Sequence, residues 1–130
     1  MSPARMARIE SAIRTALAYH EAFNRHDVAG ILQLISADCI FETAQPAPDG
    51  SVYTGKDAIA QYLQNFFSTS PDVHMEIEEA FGFGERCILR WKQSRLDAAG
   101  EKLHIRGADI FREQNGLIRE KLSYVKGSEI

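Results

Sequence analysis

Near Val73 the hydrophobic period of this 130-residue chain changes, and the change limits the possible folds more than any motif does. Upstream, Met6, Ile9, Ile13, Ala16, Leu17, His20 and Phe23 recur at helical spacing. So do Val28, Ile31, Leu32 and Ile35, and then Ile59, Tyr62, Leu63, Phe66 and Phe67. Downstream, Val73, Met75 and Ile77 alternate with His74, Glu76 and Glu78 at a period of two. Helices first and hairpins afterwards, with no βαβ alternation, predict an α+β fold with an antiparallel sheet.

The punctuation between these runs sets the elements. Ser2-Pro3 reads as an N-cap with proline in the first helical position, opening a helix to about Arg25. Asp27 caps a short second helix that closes at Ser36-Ala37-Asp38, and Cys39 to Thr43 is a short strand. Ala44 to Tyr53, with two prolines and a glycine, is a loop. Thr54 and Asp57 form a capping box for the third helix, which ends by Asp72. Glu79 breaks the alternation before Phe81 and predicts a bulge. Turns at Gly82–Glu85, Asp97–Gly100 and Glu113–Gly116 separate the remaining long strands. Long twisted strands with every helix on one side curl around the helices and leave a cavity between the two layers.

One domain, residues 1–130, fits this length. Hydrophobic residues make up 45% and charged residues 25%, and the formal net charge is −3, so nothing favours nucleic acid or an anionic membrane as a partner. No apolar run is long enough to span a bilayer, and the N-terminus mixes Arg and Glu with its apolar residues. Cys39 and Cys87 fall in predicted strands without a CxxC motif. They read as reduced, buried thiols of a cytoplasmic protein, with a disulfide as the alternative. The four histidines show no metal-ligand spacing, so neither metal nor cofactor is expected.

Within the strand Leu103–Phe111, one face carries Leu103, Ile105, Gly107, Asp109 and Phe111. A carboxylate among such neighbours needs either partners or a use. Desolvation predicts a raised pKa for Asp109 unless a cation pairs with it. On that reading Asp109→Asn is at least as stable as the native chain at pH 7. On the preceding strand, hydrophobicity turns Cys87, Leu89 and Trp91 inward.

Several stretches resemble the NTF2-like superfamily, in particular its SnoaL-like polyketide cyclase group. They are Tyr19–Asp27, Leu34–Glu42, Tyr53–Ile59, Arg106–Arg112, Asn115–Lys121 and Ser123–Val125. The resemblance implies a cone of three helices on a strongly curved sheet enclosing a pocket, often paired into homodimers through the outer sheet face. Ile88, Ile110, Ile118 and Leu122 are the candidates for that face, depending on strand parity. Relatives similar to ketosteroid isomerase use a helix-1 tyrosine and a protonated aspartic acid as an oxyanion hole, with a second carboxylate as base. Tyr19 and Asp109 match the first two, while Thr43 occupies the base position beside Glu42. Relatives similar to limonene epoxide hydrolase use Asp-Arg-Asp. Arg90 matches the arginine, and Lys92 and Ser123 stand where the aspartates would be. The cyclases place an acid/base aspartate close to the position of Ser123.

Two functions follow. One is a cofactor-free acid/base enzyme, an isomerase, cyclase or related lyase or hydrolase, acting on a small hydrophobic, cyclic or carbonyl-bearing molecule. Asp109, Tyr19, Glu42 and His20 are its candidate catalytic residues. Trp91 or Arg90, with Tyr53, Phe66, Phe111 and Ser123, would contact the substrate. The other is a non-catalytic ligand-binding or dimeric interaction module of the same fold.

Overall fold

The computed structural model describes residues 2–127. Among them, three helices pack on one face of a six-stranded curved sheet. Helix α1 (Pro3–Asn24) starts as its sequence predicts, with the Ser2 hydroxyl accepting the Arg5 amide at 3.2 Å. Its buried stripe, Ala12, Ala16, Tyr19, His20, Ala22 and Phe23, is built largely of small and aromatic residues, so the helix lies close to the sheet. Asn24 fixes its far end, donating to the Met75 carbonyl at 2.8 Å and accepting the Met75 amide at 2.7 Å.

Asp27 caps α2 (Val28–Leu32) by accepting the Gly30 amide at 2.9 Å. The helix is shorter than predicted. Ile35 already belongs to strand β1 (Ile35–Glu42), whose start pairs with Ile118, and the Ile118 amide reaches the Leu34 carbonyl at 2.8 Å. A three-residue strand, β2 (Val52–Thr54), emerges from the predicted loop and pairs with β1. Thr54 is therefore engaged opposite Ile40. Helix α3 (Lys56–Thr69) is capped by Gly55 at φ 88° with no side-chain hydrogen bond, in place of the expected capping box.

Strands β3 (His74–Phe83), β4 (Arg86–Leu96), β5 (Lys102–Gln114) and β6 (Leu117–Lys126) follow as hairpins. The predicted bulge is present as a register shift between Ile77 and Glu79. A second shift, which the sequence did not suggest, lies between Arg112 and Glu113 on β5. The strand order is β2-β1-β6-β5-β4-β3, and β1 runs parallel to β6, so the sheet is mixed and not wholly antiparallel. Everything between β1 and β6 in the chain serves as the crossover that a parallel pair requires. Cys39 and Cys87 are buried free thiols, each pushed up to about 12, mainly by burial.

Register decides which side chains meet the helices. Trp91, Leu89 and Cys87 lie opposite Gly107, Asp109 and Phe111, and Ser123 lies opposite Asp109. All of these point to the concave side. Gly107 is required there, because a Cβ would come within 2.4 Å of the Tyr124 carbonyl and 2.5 Å of the Trp91 ring. The missing side chain leaves room for the indole to lie across β5.

Candidate functional site

Between α1, α3 and the concave face lies a cavity of about 230 Å³. A cavity of about 150 Å³ holds one benzene, so this one suits a single ring with substituents. Its wall is apolar on the helix side, where the Phe66 ring lies tilted against Phe23 at 5.9 Å and Tyr62 at 6.1 Å, with Leu63 beside them. The sheet supplies the polar groups.

Asp109 forms the centre of the polar wall and is only 1% exposed. The Ser123 hydroxyl donates to Oδ1 at 2.7 Å, and Lys121 Nζ donates to the same hydroxyl at 2.9 Å. His20 Nε2 stands 3.5 Å from Oδ2, an ion-pair distance longer than a well-formed hydrogen bond. Lys121 is itself 6% exposed and lies over the rings of Phe41, at 4.6 Å, and Tyr19, at 5.6 Å. Those ring faces compensate part of the ammonium's lost hydration.

The expected rise in the Asp109 pKa does not occur. Burial pushes the carboxyl up, but the Lys121 charge, the His20 ring and the Ser123 hydroxyl together outweigh it and bring it down to about 2. Asp109 is therefore ionised at neutral pH. Tyr19 responds the other way. Burial, and then the negative charge of Asp109, hold its phenol well above the ordinary value, so it stays a neutral O–H. Tyr62 is raised for the same two reasons.

The other expected site residues divide between cavity, core and surface. Trp91, Phe66 and Ser123 line the cavity with Asp109 and Tyr19. Phe111 is wholly buried behind Asp109, with its ring edge-on to Tyr19 at 5.7 Å and to His20 at 6.0 Å. His20 is a buried neighbour of the carboxylate and not part of the wall. Tyr53 stacks on Tyr62 at 4.7 Å in a separate shallow groove along α3. Arg90 lies on the outer face, paired with Glu79 at 3.0 Å, which resolves the choice between it and Trp91 in favour of Trp91. Glu42 pairs with Val52 and Leu122 and shares their outward side, away from the cavity. Thr43 does reach the wall, but its hydroxyl is spent on the loop, donating to the Gln45 carbonyl at 2.8 Å and accepting the Ser51 amide at 3.1 Å.

Lys121, Gln93 and Arg95 also line the cavity, and the sequence reading passed over all three. Gln93 and Arg95 continue the inward row of Cys87, Leu89 and Trp91, so the period alone would have found them. Lys121 is harder to find. The shift opposite Glu113 leaves Arg119 unpaired and moves Lys121 to the inner face beside Ser123. Among the described residues no three His, Cys, Asp or Glu side chains converge on a metal position. The site offers a charged acid/base pair, carboxylate and ammonium, bridged by a hydroxyl in an apolar chamber.

The chain resembles proteins of known structure along nearly its whole length. An NTF2-like protein of unknown function from Mesorhizobium loti shares 34% identity, covering 92% of this chain and 94% of that one with a TM-score of 0.76. A provisionally assigned SnoaL-like polyketide cyclase from Jannaschia sp. superposes with a TM-score of 0.81 at 9% identity, covering 97% and 90%. A provisionally assigned ketosteroid isomerase from Kribbella flavida does so at 0.78 and 14% identity, covering 94% and 82%. Among curated proteins none matches the sequence. The SnoaL-like domain family matches residues 16–121, and with a cone of this geometry around its cavity the chain belongs to that family, within the NTF2-like fold.

Proposed function

We propose that the protein catalyses proton transfer on a small cyclic, carbonyl-bearing molecule, as an isomerase or cyclase that needs no cofactor. One observation carries this reading: the single carboxylate in the cavity wall is ionised and joined through one hydroxyl to a buried ammonium. Asp109 takes a proton from the carbon beside a carbonyl. Lys121, which spends one N–H on Ser123 and has others to offer, stabilises the enolate oxygen, helped by the neutral Tyr19 hydroxyl. Returning the proton to a different carbon gives an isomer. Attack of the enolate carbon on a second carbonyl closes a ring, with the proton passing to the new alkoxide.

A carboxyl held at about 2 is a weak base. Brønsted behaviour then restricts the substrate to an acidic C–H, such as one between two carbonyl groups. The test is hydrogen–deuterium exchange of cyclic 1,3-diketones in D₂O, followed by proton NMR. Exchange faster than in buffer, and lost in Asp109→Asn, is the expected result. Diketones that shift the Asp109 and Ser123 amides without exchanging would contradict catalysis. They would favour the second reading, a ligand-binding module, which draws support from Asp109 already accepting the Ser123 hydroxyl at 2.7 Å, with the His20 ring 3.5 Å from its other oxygen.

The chain is also proposed to form a homodimer. Phe81, Ile88, Ile110 and Leu122 lie side by side across four strands of the outer face, and Phe81 is 47% exposed. A second copy bringing the same band would bury it. Ile118, expected on this face, lies in the core and plays no part.

A further inference from the structure

We infer that the ligand of this cavity is a small organic anion, bound by its carboxylate at the Arg95 end. The inference rests on the cavity being a ligand site and goes further by naming the ligand's charge and orientation. Three charged side chains line the cavity: Asp109, Lys121 and Arg95. Lys121 is offset by Asp109 through Ser123, which leaves Arg95 as the uncompensated charge. The wall is therefore net positive, in a chain whose formal charge is −3.

Arg95 contrasts with the arginines of the outer face. Arg86, Arg90 and Arg106 each hold a glutamate within 3.3 Å. Arg95 has no carboxylate partner among the described residues, and its Nη1 donates only to the Ser70 hydroxyl, at 2.9 Å. The nearby Asp72 accepts the Leu96 amide and forms no ion pair with Arg95. Arg95 Nε is buried without a partner, and so is Nε1 of Trp91, four residues further in along β4 on the same wall. Trp91 is only 2% exposed. A buried Nε without an acceptor on an uncompensated cation is the complement of a carboxylate, which guanidinium holds bidentately through Nε and a terminal nitrogen, and the Trp91 Nε1 is a further free donor deeper along the wall. Gln93 stands between them with a buried, unpartnered Oε1, an acceptor for a ligand hydroxyl.

Register fixes the polarity. Arg95 pairs with Leu103, and Leu89, six positions back, pairs with Asp109. At about 3.3 Å per residue, the two charged backbone positions are about 20 Å apart along the sheet. An anionic group is drawn to Arg95 and repelled by Asp109. A ligand so held points its neutral, carbonyl-bearing end toward Asp109 and Lys121.

The experiment compares benzoate and cyclohexanecarboxylate with their uncharged amides. Each is titrated into the full chain and followed by ¹H–¹⁵N NMR, including the arginine Nε–Hε signals. Carboxylates are expected to bind about tenfold or more tightly than the amides and to shift Arg95 Hε downfield. Arg95→Gln removes the preference, Arg95→Lys keeps part of it, and Arg90→Gln on the outer face changes nothing. Repeating the series in Asp109→Asn separates the two readings, because the preference survives there even if no proton exchange is ever seen. Equal affinity for acid and amide, a preference that persists in Arg95→Gln, or no binding of either carboxylate at millimolar concentration would overturn the inference.

Discussion

The two faces of the sheet use charge in opposite ways, although alternate residues of the same strands build both. On the outer face Arg90 meets Glu79 at 3.0 Å and Arg106 meets Glu78 at 2.8 Å, with both arginines more than half exposed. Water screens such pairs, and each contributes about 1 kcal/mol or less. On the inner face the charges are few, and Asp109 and Lys121 are buried where desolvation is expensive. Charge on the outer face is a property of the surface and can be exchanged. Charge on the inner face persists only because a network or a ligand compensates it.

The largest effect should come from removing the buried cation. Lys121→Met leaves Asp109 facing an apolar wall and is expected to destabilise the fold by about 3–5 kcal/mol at pH 7. Urea unfolding reads this directly, and a loss as small as that of an outer-face pair would erase the contrast between the faces.

Asp109→Asn comes next, and its sign has reversed from the sequence expectation. The folded carboxyl titrates at about 2 against an ordinary 3.8, so its stabilisation is fully present above the unfolded value and disappears as pH falls through the folded one. The variant should lose about 2 kcal/mol at pH 7 and converge on the native chain as pH drops from 3.8 toward about 2. A deficit that grows on acidification would contradict this.

Gly107→Ala drives a methyl into the Tyr124 carbonyl and the Trp91 ring. Displacing the indole should cost about 1–3 kcal/mol and quench or shift the fluorescence of the chain's single tryptophan. Unchanged emission would mean that Trp91 does not depend on the gap.

On the outer face, Ile110→Glu should leave monomer stability nearly unchanged while abolishing self-association in sedimentation. A native chain that sediments only as a 14.6 kDa species at low micromolar concentration would remove the dimer altogether. Arg90→Gln should have the smallest effect of all, within about 1 kcal/mol.

The sequence carried the architecture because period and turn chemistry are local. The α1 cap, the bulge near Glu79 and the hairpins all follow from neighbouring residues. The parallel pairing of β1 with β6 was not legible, because nothing local records which distant strand closes a sheet. Asp109 stood out as a carboxylate on an apolar face, but its charge state did not, since Lys121 reaches it only through a register shift that turns one lysine inward. The same one-residue effect left the outer face undecided and placed Ile118 on the wrong side. Arg90 was suggested by correspondence with relatives and Glu42 as the neighbour of the matched position Thr43, and strand parity carries both of them outward.

The central claim is that Asp109 is an ionised carboxylate held by Lys121 through Ser123. A ¹³C NMR titration of the Asp109 carboxyl, in the native chain and in Lys121→Met, tests it most directly. The account predicts a midpoint at about 2 in the native chain, and a midpoint raised above the ordinary 3.8 in the variant as burial goes unopposed. A native midpoint above 3.8, unmoved by the loss of Lys121, would contradict it.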